Sequence, residues 1–182
     1  NDIQNGGEGA PLTPIYHKFL INSKDVELPA CVLNIGGISN ITIVDNTSIH
    51  GISSQDIGPG NCLINNWIQN HTSEKFDKGG KISNRGKINE IILEQALEIH
   101  ENNFIKKNNI SLDTSDFDIS FARGLNLEDG TATLTAFSAK IIASKLSFLL
   151  KKYSKKNIKI ILCGGGRKNY SLVKQIKLNT SK

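Results

Sequence analysis

Methionine is absent from this chain, tryptophan occurs once, and aromatic residues make up only 6% of the sequence. Lacking an initiator residue, the chain reads as a piece of a longer polypeptide. Cysteine is scarce as well. Cys31, Cys62 and Cys163 are odd in number, far apart and set in apolar or strand-like sequence. That pattern excludes a disulfide framework and a zinc site, and leaves buried reduced thiols of a cytosolic protein. No apolar run approaches the roughly 18 residues of a membrane span. Asn1-Asp2-Ile3-Gln4 lacks the basic and apolar regions of a signal peptide. Arginine is limited to Arg85, Arg123 and Arg167, so the formal net charge of +5 is carried by lysine. Without arginine and interleaved aromatics, nucleic acid is excluded as a partner. The densest basic run, 151–156, reads as a solvated helix end. The expectation is a soluble, cytoplasmic, globular chain with no membrane or nucleic-acid partner.

Glycine, by contrast, is plentiful, at 16 residues, and it is clustered. Two β-rich runs, 31–35 and 40–44, are joined through Gly36, Gly37, Ile38, Ser39 and Asn40. A turn of this composition leaves backbone N–H groups that can hold an anion, phosphate first among them, although an ordinary hairpin has the same composition. Two more glycine-rich segments sit where a strand would hand over to a helix: Asp56-Ile-Gly-Pro-Gly-Asn61 and Cys163-Gly-Gly-Gly-Arg-Lys-Asn169.

Hydrophobic periodicity and breakers set the rest. Residues 1–30 are loop-rich, with room for a short helix or strand at 17–21. A third strand is expected around 48–52 after a turn at Asp45-Asn46, completing an antiparallel meander. A helix follows over 60–71, with Trp67 in the core; a loop over 72–87; a helix over 88–105; and a long helix to about residue 153, capped by Asp129 or Thr131. Its buried face is Leu134, Phe137, Ile141, Ile142, Leu146, Leu149 and Leu150. A strand at 158–162 and a helix from about Ser171 end the pattern. The carboxylates of 108–128 show no metal-ligand spacing, so no metal site is assigned.

This order, with glycine turns after the first and the late strand, resembles the ribonuclease-H-like lobe of the sugar kinase, actin and heat-shock chaperone ATPase superfamily: α/β, with a mixed sheet, a three-strand antiparallel meander and flanking helices. Within it, the motifs resemble the anhydro-N-acetylmuramic acid kinases of bacterial cell-wall recycling. They are Gly6-Gly-Glu-Gly-Ala-Pro-Leu12 with Pro14 and His17, Asn34-Ile-Gly-Gly-Ile-Ser-Asn40, Asp56 with Gly58-Pro-Gly-Asn61, Asp77 with Gly79, Gly86-Lys-Ile-Asn89, Ala132-Thr-Leu-Thr135, and Cys163-Gly-Gly-Gly166 with Asn169.

The resemblance implies a reaction with ATP and Mg2+ in which water opens the 1,6-anhydro ring of the sugar while O6 is phosphorylated, giving N-acetylmuramic acid 6-phosphate. It implies Asp2 as the catalytic carboxylate that activates the water. Gly36, Gly37, Ser39 and Asn40 are implied at the phosphates, and Gly7, Glu8, Asp56, Gly58, Gly60 and Asn61 at the sugar and cleft. Gly164, Gly165, Gly166 and Asn169 border adenosine. His17 reads as a packed structural histidine. Glu8 stands where glutamine is usual, Asn65 where aspartate is, and 113–123 lacks the family's Ser-Thr-Gly-Arg-like segment.

The family also has an N-terminal lobe with a phosphate loop and a C-terminal helix, neither of which matches here. The domain reading is a segment 1–30 leading from a separate lobe, then a C-terminal ATPase lobe over 31–178 with a helical insertion at about 72–128. The expectation is a kinase inactive as this chain alone, with a homodimer or a separate N-terminal lobe as its protein partner. A split-gene, nucleotide-binding lobe without catalysis is the alternative.

Overall fold

A computed structural model describes residues 13–46, 48, 51–104, 111–153 and 158–180. It contains a four-stranded sheet of β1 (Ala30–Ile35), β2 (Ile38–Val44), β3 (Ile52–Pro59) and β4 (Lys159–Cys163) in the order β3-β2-β1-β4. β1, β2 and β3 form the antiparallel meander, and β4 lies parallel to β1. The helices are α1 (Thr13–Ser23), α2 (Cys62–His71), α3 (Glu90–Phe104), α4 (Leu127–Leu150) and α5 (Tyr170–Thr180). This is the mixed α/β sheet with flanking helices that the motifs implied.

β1 is central and reads as a nearly unbroken apolar run because both of its faces are covered. Successive side chains point to opposite faces. Cys31, Leu33 and Ile35 therefore enter the main core, which holds residues of α2, α4 and α5, while Ala30 and Val32 join Ile21 of α1 and Val44 in a smaller cluster on the other side. His17 of α1 is buried there, its Nδ1 2.9 Å from the Thr42 hydroxyl, and burial lowers its pKa. Packing is its role, as the sequence suggested.

The third strand is displaced from the expected 48–52 to 52–59. A longer loop replaces the two-residue turn: Ser48 N–H donates to Asn46 Oδ1 at 2.9 Å, and Asp45 N–H donates to Gly51 O at 2.8 Å. A Cβ on Gly51 would lie 2.3 Å from Asn46 Oδ1, so a larger residue there would have to turn the Asn46 side chain aside.

α4 also departs from expectation. Its cap is Asn126, whose side chain accepts from Asp129 N–H at 2.8 Å. Asp129 is committed to Lys87 N–H at 2.7 Å, and the Thr131 hydroxyl turns back to Leu127 O. The 27-residue segment Leu127–Tyr153 contains an 18-residue window of mean hydropathy 1.3 and is long and apolar enough to cross a membrane by length and composition, although the sequence shows no unbroken apolar run of that length. Here those apolar faces are spent on packing: Gly130–Ala139 are all buried, and Leu134, Phe137, Ile141, Ile142 and Leu146 lie in the main core. Leu149 and Leu150 are partly buried against it.

The Gly86–Asn89 and Ala132–Thr135 motifs meet. Asn89 N–H donates to the Thr133 hydroxyl at 3.0 Å, and a Cβ on Gly86 would lie 2.0 Å from Glu128 O. These motifs dock the start of α3 on α4, while Asn89 Oδ1 accepts from Ile92 N–H at 3.1 Å and opens α3.

Candidate active site

The three glycine-rich turns converge beyond the C-terminal end of β1. Gly36 O accepts from Asn61 N–H at 2.8 Å and from Asn61 Nδ2 at 2.9 Å; Gly37 O accepts from Gly60 N–H at 2.8 Å and Cys62 N–H at 3.1 Å. The β1–β2 turn therefore uses its carbonyls to tie down the start of α2. Two amides at that helix end are occupied inside the protein and are not left for an anion.

The turn after β4 stacks against the same place. Gly164 has φ +77°, and a Cβ there would sit 2.5 Å from Ile35 O; on Gly166 it would sit 2.2 Å from Ile35 Cγ2 and 2.8 Å from Asn61 Nδ2. These two glycines are required by packing on β1, independently of any ligand. Gly165 differs: a Cβ there would meet no atom within 4 Å.

Gly165 opens onto a cavity of about 320 Å³. One wall is α2, through Asn61 and Asn65; a second is the loop that carries Phe76, Asp77 and Gly79; a third is the turn with Lys168 and Asn169. Asn169 is buried, and its Oδ1 accepts from Leu172 N–H at 3.1 Å at the start of α5. Asp77 is buried too, accepting from Ile82 N–H at 2.8 Å, Ser83 N–H at 3.0 Å and the Ser83 hydroxyl at 2.7 Å. Asn61, assigned to the sugar side in the sequence, thus shares one cavity with Gly165 and Asn169.

The remaining candidates lie elsewhere. Asp56 Oδ2 accepts from Leu112 N–H at 3.0 Å and pairs across the sheet with Asn40. A Cβ on Gly58, at φ +147°, would press on Ile141 at 2.5 Å; on Gly60 it would lie 2.4 Å from Gly36 O. Asp2, Gly7 and Glu8 lie outside the described residues. Ser39 is fully buried, and Ser39 Oγ and Asn40 Oδ1 have no hydrogen-bond partner among the described residues.

No three His, Cys, Asp or Glu side chains come together as a metal site among the described residues. Burial pushes the Cys31 thiol up to about 12 and raises Cys62 and Cys163, which keeps all three as neutral thiols. Phe76 and Lys168 were not singled out in the sequence. Their signal was adjacency, since each flanks a motif residue, Asp77 or Arg167-Asn169, without belonging to the pattern.

The family model described as anhydro-N-acetylmuramic acid kinase matches residues 1–182. The chain is 49% identical over 177 residues to the anhydro-N-acetylmuramic acid kinase of Pelagibacter ubique (strain HTCC1062), covering 97% of this chain and 47% of that protein. To the enzyme of that name from Zymomonas mobilis subsp. mobilis (strain ATCC 31821 / ZM4 / CP4) it is 39% identical over 176 residues, covering 97% and 46%. The chain spans about half the length of the curated relatives it matches. Among solved structures, the activator of the 2-hydroxyisocaproyl-CoA dehydratase from Clostridium difficile with bound ADPNP aligns at TM-score 0.46 and 14% identity, over 86% of this chain and 53% of that one.

Proposed function

This chain belongs to the anhydro-N-acetylmuramic acid kinase family, and on that premise we propose that it forms the nucleotide-holding half of a cytoplasmic sugar kinase. The reaction proposed for the intact protein is attack of water on the anomeric carbon of 1,6-anhydro-N-acetylmuramic acid, opening the anhydro bond, with O6 accepting the γ-phosphoryl group. ATP supplies that phosphoryl group, and N-acetylmuramic acid 6-phosphate is the product. The observation that carries the reading is the meeting of all three glycine-rich turns at one end of β1, in a chain matched by the family model along its whole length.

The residues present suit a nucleotide. Gly165 and Asn169 border a cavity of nucleoside size. Ser39 Oγ is buried beside the β1–β2 turn with no partner among the described residues, and its hydroxyl can donate to a phosphate oxygen. Preorganised donors of the turn would face charge that shifts during phosphoryl transfer. Mg2+, which keeps several waters and binds substrate phosphates, needs few protein carboxylates. Asp2 takes the role of base toward the attacking water.

Phosphoryl transfer depends on positioning across a closed cleft. The 182-residue chain alone is therefore proposed to be inactive. The test is to give the intact protein Mg·ATP and the anhydro sugar in 18O-labelled water. A product carrying both a phosphate and one 18O at the anomeric carbon supports the reading, and unchanged sugar rejects it.

A further inference from the structure

The Asp77-x-Gly79 motif does more than fold a loop. Resting on the nucleotide reading above, we propose that Phe76 is the platform on which the nucleobase stacks, and that the Asp77 loop exists to hold it there.

Phe76 is 55% exposed, and its ring lines the cavity that Gly165 opens onto. An exposed phenyl ring on a mobile loop would mean little, but both of its neighbours are anchored. Lys75 O accepts from Gln69 Nε2 of α2 at 3.0 Å, fixing the chain on one side. On the other side the buried Asp77 carboxylate takes three hydrogen bonds from Ile82 and Ser83. The loop is in turn wedged on the β4 turn: a Cβ on Gly80 would lie 2.5 Å from Asn169 Oδ1 and 2.7 Å from Ser171 N.

The rest of the cavity explains what such a ring would face. At about 320 Å³ it lies at the lower end of the roughly 300–1,000 Å³ of ligand sites, room for a nucleoside. Its other walls include Asn61, whose Nδ2 is committed to Gly36 O and whose Oδ1 is left to accept, the side-chain amides of Asn65 and Asn169, Lys168, and the open backbone of Gly165. One flat apolar surface opposite polar donors and acceptors suits a planar heterocycle with a hydrogen-bonding edge. Aromatic stacking of a base is strong enough to change affinity by about tenfold.

The experiment titrates Mg·ADP and Mg·tripolyphosphate into the intact protein and its Phe76→Ala and Phe76→Trp variants. Because Phe76 is exposed, the variants retain the wild-type circular dichroism. Phe76→Ala is expected to lose about tenfold in affinity for Mg·ADP and none for Mg·tripolyphosphate, with Phe76→Trp restoring Mg·ADP. Unchanged Mg·ADP affinity in Phe76→Ala, or an equal loss for both ligands, overturns the stacking role while leaving the nucleotide site in place. Failure of the wild-type protein to bind Mg·ADP removes the nucleotide reading and the stacking role together.

Discussion

The side-chain amide of Asn61 and its own backbone N–H both donate to the carbonyl oxygen of Gly36, at 2.9 and 2.8 Å. One residue thus fastens the start of α2 to the β1–β2 turn twice, while its side chain also lines the cavity beside Gly165. Asn61→Ala keeps the backbone bond and loses the other. The expected cost is about 1 kcal/mol of stability, read as a lower urea midpoint. Asn61→Asp should cost more, because a carboxylate would face the Gly36 and Ile35 carbonyls.

The two neighbouring glycines Gly165 and Gly166 should behave oppositely. Gly166→Ala forces a methyl into Ile35 and should destabilise the fold by about 2 kcal/mol, as overpacking does. Gly165→Ala meets nothing within 4 Å and should leave the melting temperature within a degree or two, while narrowing the cavity and weakening Mg·ADP. Thermal melts paired with nucleotide titrations of the two variants check this; equal melting losses would contradict it.

Trp67 reports on a similar contact. Its indole N–H donates to Leu127 O at 3.1 Å, and a Cβ on Gly130 would lie 2.2 Å from the indole ring. Gly130→Ala must displace the ring, at about 1–3 kcal/mol. Tryptophan emission should shift to the red as the indole gains water, and an unshifted spectrum with wild-type stability would contradict the contact.

Much of this arrangement was legible in the sequence. The β1 run, the α2 stripe of Leu63, Ile64, Trp67 and Ile68, and the glycine turns carried the sheet and the strand ends at which the turns lie, because apolar periodicity and breakers are local signals. The start of β3 was not, since polar Ser53 and Gln55 on an outer strand give no apolar pattern. The cap of α4 was misplaced because Asn126, Asp129 and Thr131 are all competent caps, and only the contact of Asp129 with Lys87 decides between them. Phe76 was invisible for the same reason: its use depends on contacts made across the fold by Lys75 and Asp77.

His100 supplies a pH dependence. Burial, aided by Lys145, lowers its pKa to about 4, and its ring lies near those of Phe117 and Phe137. In the unfolded chain it titrates near 6.5. Between these values the unfolded state binds a proton that the folded state does not, so stability falls as pH drops from 6.5 toward 4. Discounted for partial exposure, the loss is about 1–2 kcal/mol. Urea midpoints at pH 7.5 and 5.0 should differ less in His100→Phe than in the wild type; an equal pH response would exclude His100 as a source.

The most direct test of the nucleotide-holding half is calorimetric titration of Mg·ADP into the folded 182-residue chain, with Asn40→Ala beside it. Saturable binding that weakens several-fold in Asn40→Ala is the predicted result, since Asn40 pairs with Asn34 just past the β1–β2 turn and its side-chain amide nitrogen can donate to a phosphate oxygen. A folded chain that gives no heat, or one whose binding is indifferent to Asn40, would contradict the assignment of the phosphates to that turn.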